Sequence, residues 1–344
     1  MTPKKRIIPI FIPHAGCEHD CVFCDQRRIS GVSAALPEIE NGKLKIENFG
    51  AGDQPSELAF YGGSFTAIPI EDQNKLLEAA QMFLEQNPLN SIRISTRPDC
   101  IDEQIIDRLI KYGVSTVELG AQSMSDDVLT ASQRGHTAFD IIRAAELVKA
   151  SGLTLILQMM TGLPKDTREK SLDTAKRFIE MKPDGVRIYP TVVVRGTRLH
   201  EMWELGDYQE HTVEYAVELC ADIYLMFAAS DIPVIRLGLN PTETLSSGDA
   251  VAGAYHPAFG ELVYSRIYCD KAMTLLRGVL SGSKVILAVA PGYVSIMIGQ
   301  HRSNINTLIN KFALHSLKVI QTDLNPGELI RVVFIGQPLN STNR

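Results

Sequence analysis

Arg6-Ile7-Ile8-Pro9-Ile10-Phe11-Ile12-Pro13-His14-Ala15-Gly16-Cys17-Glu18-His19-Asp20-Cys21-Val22-Phe23-Cys24 is the stretch from which the fold is read. Its first half is a short apolar run of strand length, rich in isoleucine and closed by Pro13. Its second half is a loop that packs three cysteines into eight residues. The same phrase recurs along the chain: a β-branched run, a loop of uncommon residues, then an amphipathic segment of helical length. Candidate strands are Arg6–Pro13, Leu58–Tyr61, Ser91–Thr96, Ser115–Ala121, Thr154–Met160 and Gly185–Thr191. Candidate helices include residues 71–86, 102–112, 139–151 and 168–181. Parallel strands need long crossovers, usually helical, so this alternation predicts an α/β fold with a parallel sheet. Six units satisfy either a doubly wound sheet or a partial (β/α)6 barrel.

The uncommon residues fall just after the strands: the cysteines, Gly62-Gly63, Arg97-Pro98-Asp99, Gln122-Ser123, Gly162-Leu163-Pro164 and Tyr189-Pro190. In β/α barrels the loops after the strands form the active face, so one rim collects the candidate chemistry. Beyond the sixth unit a long helix is expected at about residues 208–229, a strand at Ile232–Leu239 and a Gly, Ser and Pro-rich loop at 240–260. A helix at 261–278 precedes the tripeptide Ser281-Gly282-Ser283, which marks a boundary. From Lys284 the pattern is β-α-α-β-β. The expected organisation is a barrel over 1–230, an extension closing on it over 231–282 and a small α+β domain over 283–344.

A chain of 344 residues with 45% hydrophobic and 22% charged side chains has ample material for a core. No run reaches the roughly 18 apolar residues of a membrane span. Lys4, Lys5 and Arg6 before an apolar run imitate a secretion signal, but the run is short and broken by prolines, so a buried first strand and a cytoplasmic protein are expected. Six cysteines in this length are no disulfide framework. Cys100, Cys220 and Cys269 are scattered and read as buried small hydrophobes. Net charge is −6 but uneven: from Ser281 onward six basic residues meet two acidic ones, a tail of +4 against −10 for the remainder. Such a tail suits an anionic partner.

Cys17, Cys21 and Cys24, spaced C-x3-C-x2-C, are able to wrap three corners of an iron–sulfur cubane. With no fourth cysteine nearby, one iron keeps an open site, whereas structural metal sites are normally closed. Gly16 permits close backbone approach before the first ligand. Two alternatives stand beside this: a zinc ion held by the three cysteines with His14 or His19, and three inert thiols.

That spacing, with Phe23 just before the last cysteine and the loop following the first strand, resembles the signature of the radical S-adenosylmethionine (SAM) enzymes. Phe60-Tyr61-Gly62-Gly63-Ser64-Phe65-Thr66 is similar to that superfamily's glycine-rich stretch after the second strand. Ser64 departs from it, standing where many members carry Glu. Thr96-Arg97-Pro98-Asp99, Glu118-Leu119-Gly120-Ala121-Gln122-Ser123 and Arg134-Gly135-His136 resemble one branch, the radical SAM half of the Elongator catalytic subunit and its bacterial relatives. The resemblance spans about Pro9 to Pro241.

The resemblance implies a partial radical SAM barrel with a 4Fe-4S cluster on Cys17, Cys21 and Cys24. It implies that an external donor reduces the cluster, that SAM is cleaved to a deoxyadenosyl radical, and that this radical takes a hydrogen from the substrate. Phe23 would border the cofactors, Gly62, Gly63 and Ser64 would hold the methionyl end of SAM, and Gln122 would lie near the ribose. Arg134 would pair with the carboxylate, which suits a guanidinium fork, and Gly162 would admit the adenine. Plainer readings stand beside these: Gly162-Leu163-Pro164 as a turn and Arg134 as a solvated helix end. Tyr189, after the sixth strand, either faces substrate or packs. Arg97-Pro98-Asp99 reads as a latch, with Asp99 pairing or capping the helix near Asp102. The role of His256-Pro257-Ala258-Phe259-Gly260-Glu261, after Gly253 and Tyr255, is not deducible.

The tail resembles a KH domain, whose tight loop between two helices clamps a nucleic-acid backbone. Gly299-Gln300-His301-Arg302 lacks the second glycine of that loop, which leaves Arg302 as the phosphate contact. RNA, and tRNA in particular, is therefore the expected partner, with no membrane involved. The length leaves no room for the acetyltransferase domain of Elongator-type proteins, so their acetyl-CoA-dependent step is not expected, nor is methylthiolation. The alternatives are a radical SAM enzyme acting on a small metabolite, with the tail as a lid, and a zinc-stabilised nucleic-acid-binding module without catalysis.

Overall fold

A computed structural model describes residues 6–17, 21–30, 36–40, 43–44, 56–85, 90–325 and 327–336. Two compact units emerge, one of Met1–Ala216 with Ile223–Pro257, the other of Val217–Asp222 with the chain from Ala258 onward.

The first unit is built on a seven-stranded parallel sheet whose strands lie side by side in chain order. They are β1 (Arg6–Phe11), β2 (Ser56–Tyr61), β3 (Ser91–Thr96), β4 (Val114–Gln122), β5 (Thr154–Thr161), β6 (Gly185–Pro190) and β7 (Val234–Leu237). The six expected strands are all present. The seventh is the segment expected at Ile232–Leu239, which pairs parallel to β6 and so belongs to the sheet rather than to an extension. Crossover helices α1 (Ile70–Leu84), α2 (Glu103–Lys111), α3 (Ala138–Ala150) and α4 (Arg168–Met181) join the strands.

Local chemistry sets the helix starts. Asp102 accepts the Ile105 amide at 2.8 Å and caps α2. Thr137 and Asp140 form a reciprocal capping box at α3. Thr167 caps α4 and Thr212 caps α5 (Val213–Ala229). The last helix therefore begins later than the expected residue 208, because a threonine able to take its free amides stands at 212.

The sheet curls. Arg187 on β6 donates to the Tyr61 hydroxyl on β2 at 2.7 Å, although four strand spacings separate β2 from β6, about 19 Å across a flat sheet. Only a sheet folded toward itself brings these side chains together, and the half-barrel expected from the sequence follows. Within the stretch read as a loop after Asn240, Ala250–Gly253 pairs antiparallel with Val192–Val194. Elements this short leave no period in the sequence. Gly253, at φ +86°, lies so close to the Thr191 carbonyl that a Cβ would overlap it.

The second unit has the three expected strands, and β8 (Lys284–Val289) lies between β9 (Ser316–Gln321), parallel to it, and β10 (Ile330–Gly336), antiparallel. Helix α6 (Phe259–Leu275) shares its core, with Tyr268, Cys269, Ala272 and Leu276 buried against Val285, Leu287 and Leu308. Ser281-Gly282-Ser283, the expected boundary, therefore falls inside this unit, and Ser283 is buried. Helices α7 (Val294–Ile298) and α8 (Ser303–Phe312) are joined by a turn in which Gly299, His301 and Arg302 have φ of 76°, 51° and 61°. The amide of Asn304 donates to Ser265, Ile296 and Met297 from within the core and ties the turn in place.

Candidate functional site

The cysteine loop leaves the carboxyl end of β1 and is stitched to the loop after β2. Ile12 N donates to Tyr61 O at 2.8 Å, and Ser64 N to Ala15 O at 2.9 Å. The two backbones run so close that a Cβ on Gly63 would overlap the Ala15 and Ile12 carbonyls, and one on Gly16 would overlap Ser64 O. Gly16 and Gly62 also hold positive φ, 71° and 101°. The expected close approach at Gly16 is therefore met by protein backbone.

Cys17, Cys21 and Cys24 are free and partly buried. Burial and the neighbouring Cys21 push the Cys17 thiol up, against hydrogen bonds from Ser64 that pull it down. Burial, followed by repulsion from Cys21 and Cys17, drives Cys24 far higher. Three thiols that repel one another as anions in a desolvated loop suit a cationic iron site, because bound metal favours the deprotonated ligand. The alternative with His14 as a zinc ligand meets an obstacle: its Nε2 accepts the Gln26 amide at 3.0 Å. His19 lies outside the described residues.

Val22 and Phe23 anchor the loop from below, packing with Val128, Leu163, Leu199 and Tyr208. Arg134 enters from the other side with 6% exposure, so it is no solvated helix end. Its Nη1 donates to Cys21 Sγ at 3.0 Å and its Nη2 to Gly120 O at 2.6 Å. The guanidinium also lies 6.0 Å from the Phe23 ring centroid, a cation–π distance. Arg134 and Phe23 thus join the cysteines. Ser64, 2% exposed, faces Cys17.

Gln122 ends β4 at φ +67°, and its Oε1 accepts from Gln158 Nε2 at 3.3 Å. Gly162 follows β5 at φ +78°, but the group pressed against it is the His211 ring. Its amide donates to Asp166 at 2.7 Å, and its carbonyl accepts from the Tyr208 hydroxyl at 2.6 Å. A cavity of about 210 Å³ opens there beside Leu163, Asp166 and Tyr208. Arg97 grips Asp99 with two hydrogen bonds, so Asp99 pairs and Asp102 does the capping. His136 stands 4.0 Å from Asp99, and burial followed by the Arg134 charge lowers its pKa to about 4.

Sequence reasoning missed the concave face of the sheet. Arg93 pairs with Glu57 at 2.6 Å and with Glu118 at 3.4 Å, and Arg187 stands 3.0 Å from Glu118. The signal was present, since buried parallel strands normally read as nearly continuous Val, Ile and Leu. Here Glu57, Arg93, Glu118, Gln158 and Arg187 interrupt them at alternate positions.

No helix among the described residues is long and apolar enough to cross a membrane. The radical SAM superfamily model matches residues 11–178, and the radical SAM C-terminal domain model matches 183–268. The chain is 32% identical over 308 residues to a tRNA uridine(34) acetyltransferase of Methanocaldococcus jannaschii, covering 77% of this chain and 56% of the relative. It is 35% identical over 187 residues to Elongator complex protein 3 of Schizosaccharomyces pombe, covering 48% of this chain and 34% of that one. Among solved structures, the Elp3 of Methanocaldococcus infernus with its N-terminus deleted superposes with a TM-score of 0.58 at 27% identity, over 80% of this chain and 66% of that one. The chain thus spans about half the length of the archaeal acetyltransferase it matches. It belongs to the radical SAM superfamily, within the Elongator-like group, and is an enzyme that uses a 4Fe-4S cluster and SAM.

Proposed function

We propose that Cys17, Cys21 and Cys24 hold the cluster and that the enzyme modifies a uridine of tRNA in the cytoplasm, drawing its electron from an external donor. The observation that carries the first part is the stitching of the cysteine loop to the Gly62–Ser64 loop, which gathers three mutually repelling thiols at the carboxyl rim of the half-barrel. When bound, the cofactors supply reductive cleavage of the SAM carbon–sulfur bond and hydrogen-atom abstraction.

The chain's own residues supply the setting. Gly62 and Gly63 leave backbone bare of side chains beside the thiols, for the methionyl end of SAM. Gln122 is oriented by Gln158 toward the ribose, and Gly162 lines the adenine side. Arg134 is committed to Cys21 and Gly120 through its two terminal nitrogens, while its buried Nε has no hydrogen-bond partner among the described residues. Nε and the second hydrogen of each terminal nitrogen are thus the donors left for the SAM carboxylate. Phe23 shields the thiols from water.

The tRNA substrate rests on the relatives, which include a tRNA uridine(34) acetyltransferase. The acetyl transfer in that name is not assigned to this chain. In the second unit Gln300, His301 and Arg302 are exposed on the turn between α7 and α8. If this turn meets the phosphate backbone, Arg302→Ala weakens tRNA binding and lowers its salt dependence by about one charge.

Mass spectrometry of tRNA nucleosides from cells with and without the protein tests the substrate. A uridine derivative lost with the protein and regained with wild type, but not with Cys21→Ala, is the expected result. Identical nucleoside profiles overturn the tRNA assignment and leave a small metabolite as the substrate.

A further inference from the structure

The concave face holds charged and phenolic groups that the cysteine loop does not use. Tyr61 lies on β2, Arg187 and Tyr189 on β6, and all three point to that face. Arg187 is spent in three directions. Its Nε stands 3.0 Å from Glu118 Oε2, its Nη2 donates to the Tyr61 hydroxyl at 2.7 Å, and its Nη1 donates to the Tyr189 hydroxyl at 3.2 Å. Glu118 is held in turn by Arg93, which also pairs with Glu57. Two cations balance two carboxylates, so the assembly carries no net charge.

A buried ion network of this kind is weak support for stability, since well-packed apolar residues serve as well or better. Its geometry has another consequence. A phenol carries one proton and accepts through its lone pairs. Both hydroxyls already accept from Arg187, which leaves both protons for other acceptors, and neither hydroxyl donates a hydrogen bond among the described residues. Burial raises both phenols, Tyr61 to about 12, so the protons stay on at neutral pH. Tyr61 leads straight into Gly62 and Gly63, and Tyr189 closes β6, so both stand at the carboxyl ends of their strands. The two hydroxyls therefore flank the Arg187 guanidinium at the end of the sheet where the cysteine loop stands.

We propose that Arg187 is a positioning residue that holds Tyr61 and Tyr189 as a pair of O–H donors for two acceptor oxygens of the substrate. With the substrate reading given above, on which this rests, those oxygens are the carbonyls of a uracil ring. A base held between two fixed phenols is selected by its acceptors, and a base lacking them leaves buried donors unpaired.

The test uses the full, cluster-loaded chain and two anticodon stem-loop RNAs, one with uridine at the wobble position and one abasic there. Dissociation constants for both are measured with wild type, the Tyr61→Phe/Tyr189→Phe double variant, Arg187→Met and Arg187→Lys. Wild type is expected to prefer the uridine loop by about tenfold or more, the worth of one or two net hydrogen bonds. The double variant keeps both rings and loses most of that preference. Arg187→Met loses it with both tyrosines in place, and Arg187→Lys fails to restore it, because an ammonium cannot fork to two phenols. An undiminished preference in the double variant, or a wild type with no preference, overturns the inference; the phenylalanine variants keep it decidable if Arg187→Met does not fold. Deoxyadenosine release by wild type with SAM and reductant is read alongside. Its absence strikes the function proposed above, and its presence with an unchanged preference strikes only the tyrosine pair.

Discussion

On its helix-covered face the sheet presents Ile10, Leu58, Phe60, Ile94, Leu119 and Leu157, each 6% exposed or less. On its concave face the same strands present Glu57, Tyr61, Arg93, Glu118, Arg187 and Tyr189, joined by ion pairs and hydrogen bonds. The strands alternate, so one backbone serves both faces. The first face holds the fold by excluding water from apolar surface. The second places charge and hydroxyls under the rim where the cysteines stand. Stability and chemistry are thus divided by the period-2 alternation of a strand.

The largest expected effect breaks the first face. Phe60→Ala empties a fully buried ring site and is expected to cost about 4 kcal/mol in denaturant unfolding. On the second face, Glu118→Ala leaves Arg187 without its carboxylate and is expected to cost about 3 kcal/mol. The sharper comparison is Glu118→Leu with Arg187→Met, which removes the pair together. If the two faces are divided as described, the double variant regains most of the stability lost by Glu118→Ala and still lacks uridine preference. A double variant no more stable than Glu118→Ala shows that the charges hold the fold.

His136 tests the rim where the faces meet. Its folded-state pKa is lowered from 6.5 to about 4 by burial and Arg134. The unfolded chain therefore takes up the proton first as pH falls. Stability tied to the neutral ring is complete above about pH 6.5 and is lost progressively down to about pH 4, by about 3 kcal/mol in all. Unfolding free energies measured across that window should fall in wild type and stay flatter in His136→Gln; parallel curves refute the assignment. The smallest effect concerns a helix start: Asp102→Ala removes one cap and is expected to cost about 1 kcal/mol in thermal or denaturant unfolding.

The helix-covered face was legible because β-branched strands and amphipathic helices announce themselves by period, and all six expected strands occur. The cysteine loop was legible because three thiols in eight residues have few uses. The antiparallel pairing of Val192–Val194 with Ala250–Gly253 was not, since three or four residues carry no period. Nor was the partner of Arg134: Cys21 is 113 residues away in sequence, and only the fold brings the two together. The concave network was missed for a different reason. Glu57, Arg93, Glu118 and Arg187 look like solvent-facing positions of half-exposed strands, and only curling of the sheet, with Arg187 reaching Tyr61, turns that exposed face into an interior.

The central claim is that Cys17, Cys21 and Cys24 hold the cluster that cleaves SAM. Protein loaded anaerobically with iron and sulfide, given SAM and a strong reductant, is predicted to release deoxyadenosine. Cys21→Ala, folded by circular dichroism, is predicted to bind less iron and to release at most about one hundredth as much. Equal deoxyadenosine from wild type and Cys21→Ala, or none from iron-loaded wild type, would contradict it.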